Sequence, residues 1–142
     1  MTYGARSPPE TAGTWVTCWT NLPDDAVASD AGHDVVPGGR WLVDLLVPYL
    51  EKHGSRVAGV GFEYSGYWWM HVDQGDRRFL LFVYLMGGVG NLRVERRRGL
   101  LGWLSRRDFS GEAREFADSL VQGLQGDQRI QRATISPNYV EA

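Results

Sequence analysis

Residues 57–97, VAGVGFEYSGYWWMHVDQGDRRFLLFVYLMGGVGNLRVERR, decide the fold of this chain. Three glycine-bearing signals cut the stretch: Ser65-Gly66, Gln74-Gly75-Asp76 and Gly87-Gly88-Val89-Gly90-Asn91. Glycine supplies the positive φ that tight hairpins need, and the runs between are rich in Val, Phe, Tyr and Trp, so the stretch predicts four antiparallel strands. Successive side chains of a strand point to opposite faces, which sorts the residues into two sets. Val57, Gly59, Gly61, Trp68, Met70, Val72, Phe79, Leu81, Val83 and Leu85 form the expected core face, where Gly59 and Gly61 would admit a closely packed helix. Val60, Phe62, Tyr64, Tyr67, Trp69, His71, Leu80, Phe82, Tyr84 and Met86 form the other, with Asp73 and Arg78 near its rim. This second face is too aromatic for water. Each large ring buries roughly 150–250 Å², whereas monomers rarely expose contiguous apolar patches beyond a few hundred Å².

Outward from the meander, Thr14 to Thr20 (TWVTCWT) is a short β-prone run with Trp15, Thr17 and Trp19 on one side. It is the expected cover for the aromatic face. Asn21 to Gly39 is a long polar connection holding Asp24, Asp25, Asp30, His33 and Asp34, of a length that is either functional or mobile in compact domains. Arg40 to His53 repeats Trp41, Leu42, Leu45, Leu46, Tyr49 and Leu50 at helical spacing, with Gly54 as the stop. Pro48 inside that run removes the hydrogen bond to the Asp44 carbonyl and predicts a kink. After the strands, Gly99 to Phe109 reads as a short amphipathic connector. Ser110 is the expected cap of a second helix from Gly111 to about Gln125, whose stripe is Ala113, Phe116, Ala117, Leu120, Val121 and Leu124. Arg129 to Ile135 resembles a strand that adds to a sheet edge before Pro137. The expected fold is α+β: a two-layer sandwich with an antiparallel sheet of four or more strands and two helices on one face, in the order α-β-β-β-β-α-β. Residues 14–142 form one expected domain, with residues 1–13 a disordered or loosely attached tail.

A chain of 142 residues, 43% hydrophobic and 23% charged, suits one ordinary core. A net charge of -2 and a pI of about 5.9 give no whole-chain field for nucleic acid or acidic lipid. Lys52 is the only lysine among the basic residues, which reads as the codon bias of a GC-rich genome. Cys18 stands alone, which excludes an internal disulfide and suits a reducing compartment. The first residues lack a charged start followed by an apolar run, so no secretory signal is expected. The longest apolar run, Phe79 to Met86, is eight residues and too short for a spanning helix. The expected location is the cytoplasm.

Several segments together resemble an uncharacterised family of small bacterial α+β proteins. The resemblance covers about residues 38–135 and is carried by the apolar helix, the Gly66-Tyr67-Trp68 hairpin, the Arg-Arg-Gly-Leu-Leu connector from Arg97 to Leu101, and a closing helix followed by Asp-x-Arg-Ile from Asp127 to Ile130. It implies no activity for any residue.

The candidate chemistry is sparse. His33, His53 and His71 lack the spacing of a metal site, and no cofactor or metal ligand is expected. His71 with Glu63, Asp73 and Tyr67 is the best acid–base group, although Glu63 falls on the opposite face from His71; an interface histidine is the plainer reading, and no catalytic residue is assigned. Gly87-Gly88-Val89-Gly90 looks like a phosphate loop, but phosphate cradles lead into a helix N-terminus and here a strand follows, which predicts a wide hairpin. Arg93, Arg96, Arg97, Arg98, Arg106 and Arg107 are the one strong local charge, with Arg96 and Arg97 on opposite sides of a strand. Edge protection explains them, and anion or nucleic-acid binding is the sharper alternative. Leu100, Leu101, Trp103 and Leu104 beside Arg106 and Arg107 are few for a membrane surface; packing across the sandwich edge is simpler.

Three functional expectations follow. The leading one is a protein-interaction or adaptor module, not an enzyme, that presents Phe62, Tyr64, Tyr67, Trp69, His71, Phe82 and Tyr84 to a protein partner or a second copy of itself. The second is a small-ligand pocket between this face and residues 14–36, with His71, Asp73, Arg78 and Tyr64 as its polar groups. The third is anion or nucleic-acid binding by the arginine cluster, with nucleic acid disfavoured as a partner and no membrane span.

Overall fold

A computed structural model of the chain describes residues 14–28, 34–97 and 110–141. The meander is formed by β4 (Arg56–Glu63), β5 (Tyr67–Gln74), β6 (Arg77–Met86) and β7 (Val89–Arg97). It continues through β1 (Thr14–Thr20) to β8 (Ile130–Ser136), giving an antiparallel six-stranded sheet in the order β4-β5-β6-β7-β1-β8. A small hairpin of β2 (Val27–Ala28) and β3 (Asp34–Val36) interrupts the 21–39 connection. Helices α1 (Arg40–Lys52) and α2 (Ser110–Gln125) complete an α+β fold.

The expected cover is a strand instead. β1 lies in the plane of the sheet, antiparallel to β7 with Thr14 opposite Val94 and to β8 with Val16 opposite Ile135. An alternating run that buries Val16 and Cys18 on one side and Trp15 and Thr17 on the other has apolar contacts for both faces, which suits an interior strand better than a flap.

Alternation in β5 and β6 sorts as read from the sequence, with Trp68, Met70, Val72, Phe79, Leu81, Val83 and Leu85 all buried on one side. Leu92 and Val94 of β7 and Val16 and Cys18 of β1 continue that side. Both helices pack there: Phe116 of α2 stacks on Phe79, and Leu42, Val43, Leu46 and Leu50 of α1 are buried in the same cluster. Trp41 and Leu45 are only partly buried at its margin. The two helices touch through Tyr49, whose hydroxyl donates to the Ser119 carbonyl at 3.0 Å. α1 runs unbroken through Pro48.

β4 departs from the expected faces. Glu63 pairs with Tyr67, so the first hairpin has a three-residue loop, Tyr64-Ser65-Gly66, in place of a two-residue turn about Ser65-Gly66. One extra loop residue turns the side chains of β4 over relative to β5. Val60 therefore faces Met70, and Phe62 faces Trp68 on the helix side, while Gly59, Gly61 and Glu63 lie on the outer side. A bulge at Ala58 then restores Val57 to the core, opposite Val72. The close approach of a helix falls at Gly90 of β7 instead of Gly59 or Gly61: a Cβ there would stand 2.9 Å from Leu42 Cδ1 and 2.7 Å from Cys18 Sγ. The Gly87-Gly88 connection is a tight two-residue hairpin, Met86 to Val89, with φ of 59 and 79°; it is not wide, and Asn91 belongs to the strand.

The 21–39 connection is organised around α1. One carboxylate oxygen of Asp25 accepts from the Gly39 amide at 2.7 Å, and the other from the Trp41 amide at 2.9 Å. Two of the amides a helix start leaves without intrahelical partners are thus satisfied by a side chain from upstream. Trp68 Nε1 donates to the Pro37 carbonyl at 2.9 Å, fixing the loop to the sheet. The expected tail at residues 1–13, the connector 99–109, the capping role of Ser110, and Asp30 and His33 lie outside what is described. Among the described residues no helix is long and apolar enough to cross a membrane.

Candidate interaction face

The side of the sheet opposite the helices is built from alternate residues of adjacent strands. β5 contributes Tyr67, Trp69, His71 and Asp73; β6 contributes Arg78, Leu80, Phe82, Tyr84 and Met86; β7 contributes Asn91, Arg93 and Glu95; β1 contributes Trp15, Thr17 and Trp19. Cross-strand pairing sets Trp69 opposite Phe82 and His71 opposite Leu80. Tyr67 meets Phe82 edge-on with ring centroids 5.4 Å apart and leans on Tyr84 at the same distance. Tyr84 in turn contacts Trp15 at 5.9 Å. Tyr67, Trp69, His71, Phe82 and Tyr84 are all half-buried, while Met86 is exposed.

Phe62 and Tyr64 are not part of this surface. Phe62 lies on the helix side against Trp68, with centroids 5.0 Å apart, and Tyr64 sits edge-on to Phe62 at 5.8 Å. Glu63, expected on the opposite face from His71, is on the same face, opposite Tyr67. The indole of Trp69 leans over β4 across Gly59 and Gly61, which have no side chains to hold it off.

Part of the face is covered by the chain's own end. The Asn91 side chain donates to the Val140 carbonyl at 2.8 Å and accepts from the Val140 amide at 3.0 Å, while Thr17 Oγ1 donates to Asn91 Oδ1 at 3.1 Å. This holds Tyr139 edge-on to both Trp15 and Tyr84, at 5.7 and 5.8 Å. Trp15 is buried as a result, and burial pushes the Tyr84 and Tyr139 phenols above their ordinary range. Sequence reading missed Asn91 as a tether. A lone Asn beside a hairpin looks like a turn residue, and nothing local shows that it is buried.

Charge enters the face at two places, the Asp73–Arg78 end and the central strand β7. Asp73 accepts from Arg78 at 2.7 Å and from Arg56 at 3.3 Å, and the Arg78 hydrogen bond holds its carboxyl below the ordinary range. His71 therefore has no free carboxylate beside it in Asp73; its neighbours are Trp69 at 5.4 Å and Leu80, and its Nδ1 is buried without a hydrogen-bond partner. Arg93 lies over Phe82, 5.5 Å from the centroid, and pairs with Glu95 at 3.1 Å. Arg96 points to the helix side, where it pairs with Glu112 at 2.6 Å, while Arg97 is exposed on the outer side opposite Arg78. The cluster is thus split, two of its members carrying acidic partners; Arg98, Arg106 and Arg107 lie outside the described residues.

Of the segment 14–36, the described residues build no lid over the face. Its first strand is in the sheet, and Asp25 is at the start of α1 on the other side. An open depression of about 300 Å³, lined by Thr14, Arg114, Ile135, Ser136 and Pro137, includes none of the aromatic-face residues. Among the described residues no three His, Cys, Asp or Glu side chains are grouped to hold a metal ion. No family model, curated protein or solved structure matches the chain.

Proposed function

We propose that this chain is a protein-interaction module, with no chemistry of its own, that presents the outer face around Tyr67, Trp69, His71 and Phe82 to a protein partner. One observation carries the reading: these rings form a connected, half-buried surface on the side of the sheet that neither helix covers. Rings braced against each other lose little freedom on docking and bring large contact areas, which is why Tyr and Trp recur at interface centres. The Asp73–Arg78 pair supplies polar groups at the rim, as such interfaces carry.

A photo-crosslinking amino acid placed at Tyr67 tests this in the host cell, with Arg114 on the exposed side of α2 as the control position. A discrete protein adduct from Tyr67 that Arg114 does not give is expected. Equal adducts from both positions, or none from Tyr67, overturn the reading.

A further inference from the structure

The two edges of the sheet are guarded differently. β8 carries Arg132 in mid-strand and runs on to Pro137, both of which discourage a further strand. Among the described residues β4 has no strand on its outer side, and between Arg56 and Glu63 its residues VAGVGF hold neither charge nor proline. Val60 is 41% exposed and Tyr64 76%, with half-buried Phe62 between them in sequence, so an apolar strip follows this edge on the helix side. The backbone is open as well. The Glu63 carbonyl accepts from the Gly66 amide inside the hairpin, and alternation then turns the amides and carbonyls of Phe62 and Val60 towards the unpaired side.

We propose that this edge pairs with the same edge of a second copy of the chain, antiparallel about a two-fold axis through Val60. The seven β4 residues bridged to β5, with Ala58 bulged out, are self-complementary about that residue. Val60 meets Val60, Gly59 meets Gly61, Val57 meets Phe62, and Arg56 meets Glu63 at both ends. Directly opposite residues of an antiparallel pair share a face, and each of these pairs does. Arg56, Glu63 and the two glycines are on the outer side; Val57, Val60 and Phe62 are on the helix side. Opposite charges so placed stabilise the register, whereas a parallel, in-register pairing would set Arg56 against Arg56 and Glu63 against Glu63. The glycines bring no side chains of their own to the outer side of the seam, and the Trp69 indole of each copy lies across them, leaning towards its counterpart. Two-fold pairing uses up both open edges and closes, so it ends at a dimer.

The inference deepens the interaction-module reading by naming one partner, and rests on it for the role of association, but places the contact on the edge and not on the rings. Sedimentation velocity of the full chain over a concentration series tests it. The wild type is expected to show a monomer–dimer equilibrium. Val60→Pro removes an outward amide, and Glu63→Arg sets like charges together twice; each is expected to weaken the dimer about tenfold or more with circular dichroism unchanged. Arg56→Glu added to Glu63→Arg restores opposite charges and is expected to recover it. If Val60→Pro fails to fold, the charge exchange decides alone. A monomer at every concentration overturns the proposal, as does a dimer indifferent to both edge variants. A dimer lost in Phe82→Ala but kept in Glu63→Arg overturns the edge while supporting the outer-face reading. Loss of the Tyr67 adduct with the edge dimer intact fails that reading alone.

Discussion

The indole of Trp69 occupies the space that a side chain on Gly61 would need: a Cβ there would stand 2.6 Å from Cε2 of the ring. At Gly59 the nearest ring atom would be 3.7 Å away, an ordinary contact. Neither glycine has positive φ. Gly61→Ala is therefore expected to cost about 1–3 kcal/mol, as overpacking does, and to shift Trp69 emission as the ring lifts. Gly59→Ala is expected to be neutral or to stabilise by about 0.4–1 kcal/mol through the unfolded chain. Chemical denaturation of the two variants side by side checks the contrast.

Leu81 is fully buried beneath the helices. Leu81→Ala is expected to lose about 2–5 kcal/mol, and Tyr67→Ala, half-buried on the outer face, less. Equal losses in urea titrations would contradict the assignment of the two faces.

Removing residues 137–142 takes away the Val140 partner of Asn91 and the Tyr139 ring on Trp15. Asn91 is 1% exposed, so its amide loses partners in a buried site, at a cost of about 1–3 kcal/mol. The truncated chain is expected to show faster acrylamide quenching of tryptophan and stronger binding of an apolar dye.

Two carboxylates link stability to acid. Arg129 hydrogen bonds hold Asp127 at about 2, below the ordinary value of about 4 for Asp. A depressed folded-state value means that the contribution is complete above about pH 4 and is lost as pH falls through about 2. Arg129 is half exposed, so solvent keeps the effect small. Asp127→Asn is expected to flatten the pH dependence of stability across that window, measured by denaturation at a series of acid pH values; Asp73, depressed by Arg78, keeps the remainder.

Cys18 is fully buried, and burial pushes its thiol up to about 12. Thiol reagents are expected to label it at the rate of global unfolding, and in denaturant at once.

The sequence was legible where its signals were local. In β5 and β6 period-two alternation puts Trp68, Met70 and Val72 and Phe79, Leu81, Val83 and Leu85 on one face whether the turn falls at Gln74-Gly75 or at Gly75-Asp76, and the structure buries that face; the register was open in the sequence, and the pairing of Gln74 with Arg77 sets it. β4 broke the same rule twice, by a third loop residue before Tyr67 and by the bulge at Ala58, and neither insertion has a composition of its own. Gly59 and Gly61 were read as room for a helix when their use is room for Trp69. The place of β1 was not legible because its partners lie far along the chain, Val94 opposite Thr14 and Ser136 opposite Trp15. The Asn91–Val140 tether is hidden for the same reason, so the site appeared more open in the sequence than it is.

That placement of β1 also orders the assembly of the molecule in time. On a ribosome Thr14 to Thr20 emerges before any other described strand, yet the groove that receives it needs β7 on one side and β8 on the other. The hairpins from β4 to β7 join neighbours and close early, whereas pairings between chain ends pay a large loop-closure entropy before any contact is returned. The first of the described strands to be made is therefore the last of them to be seated. Until synthesis passes Ser136, Trp15, Val16 and Cys18 have only half of their native surroundings, and during that interval the nascent chain is most open to chaperones and to aggregation.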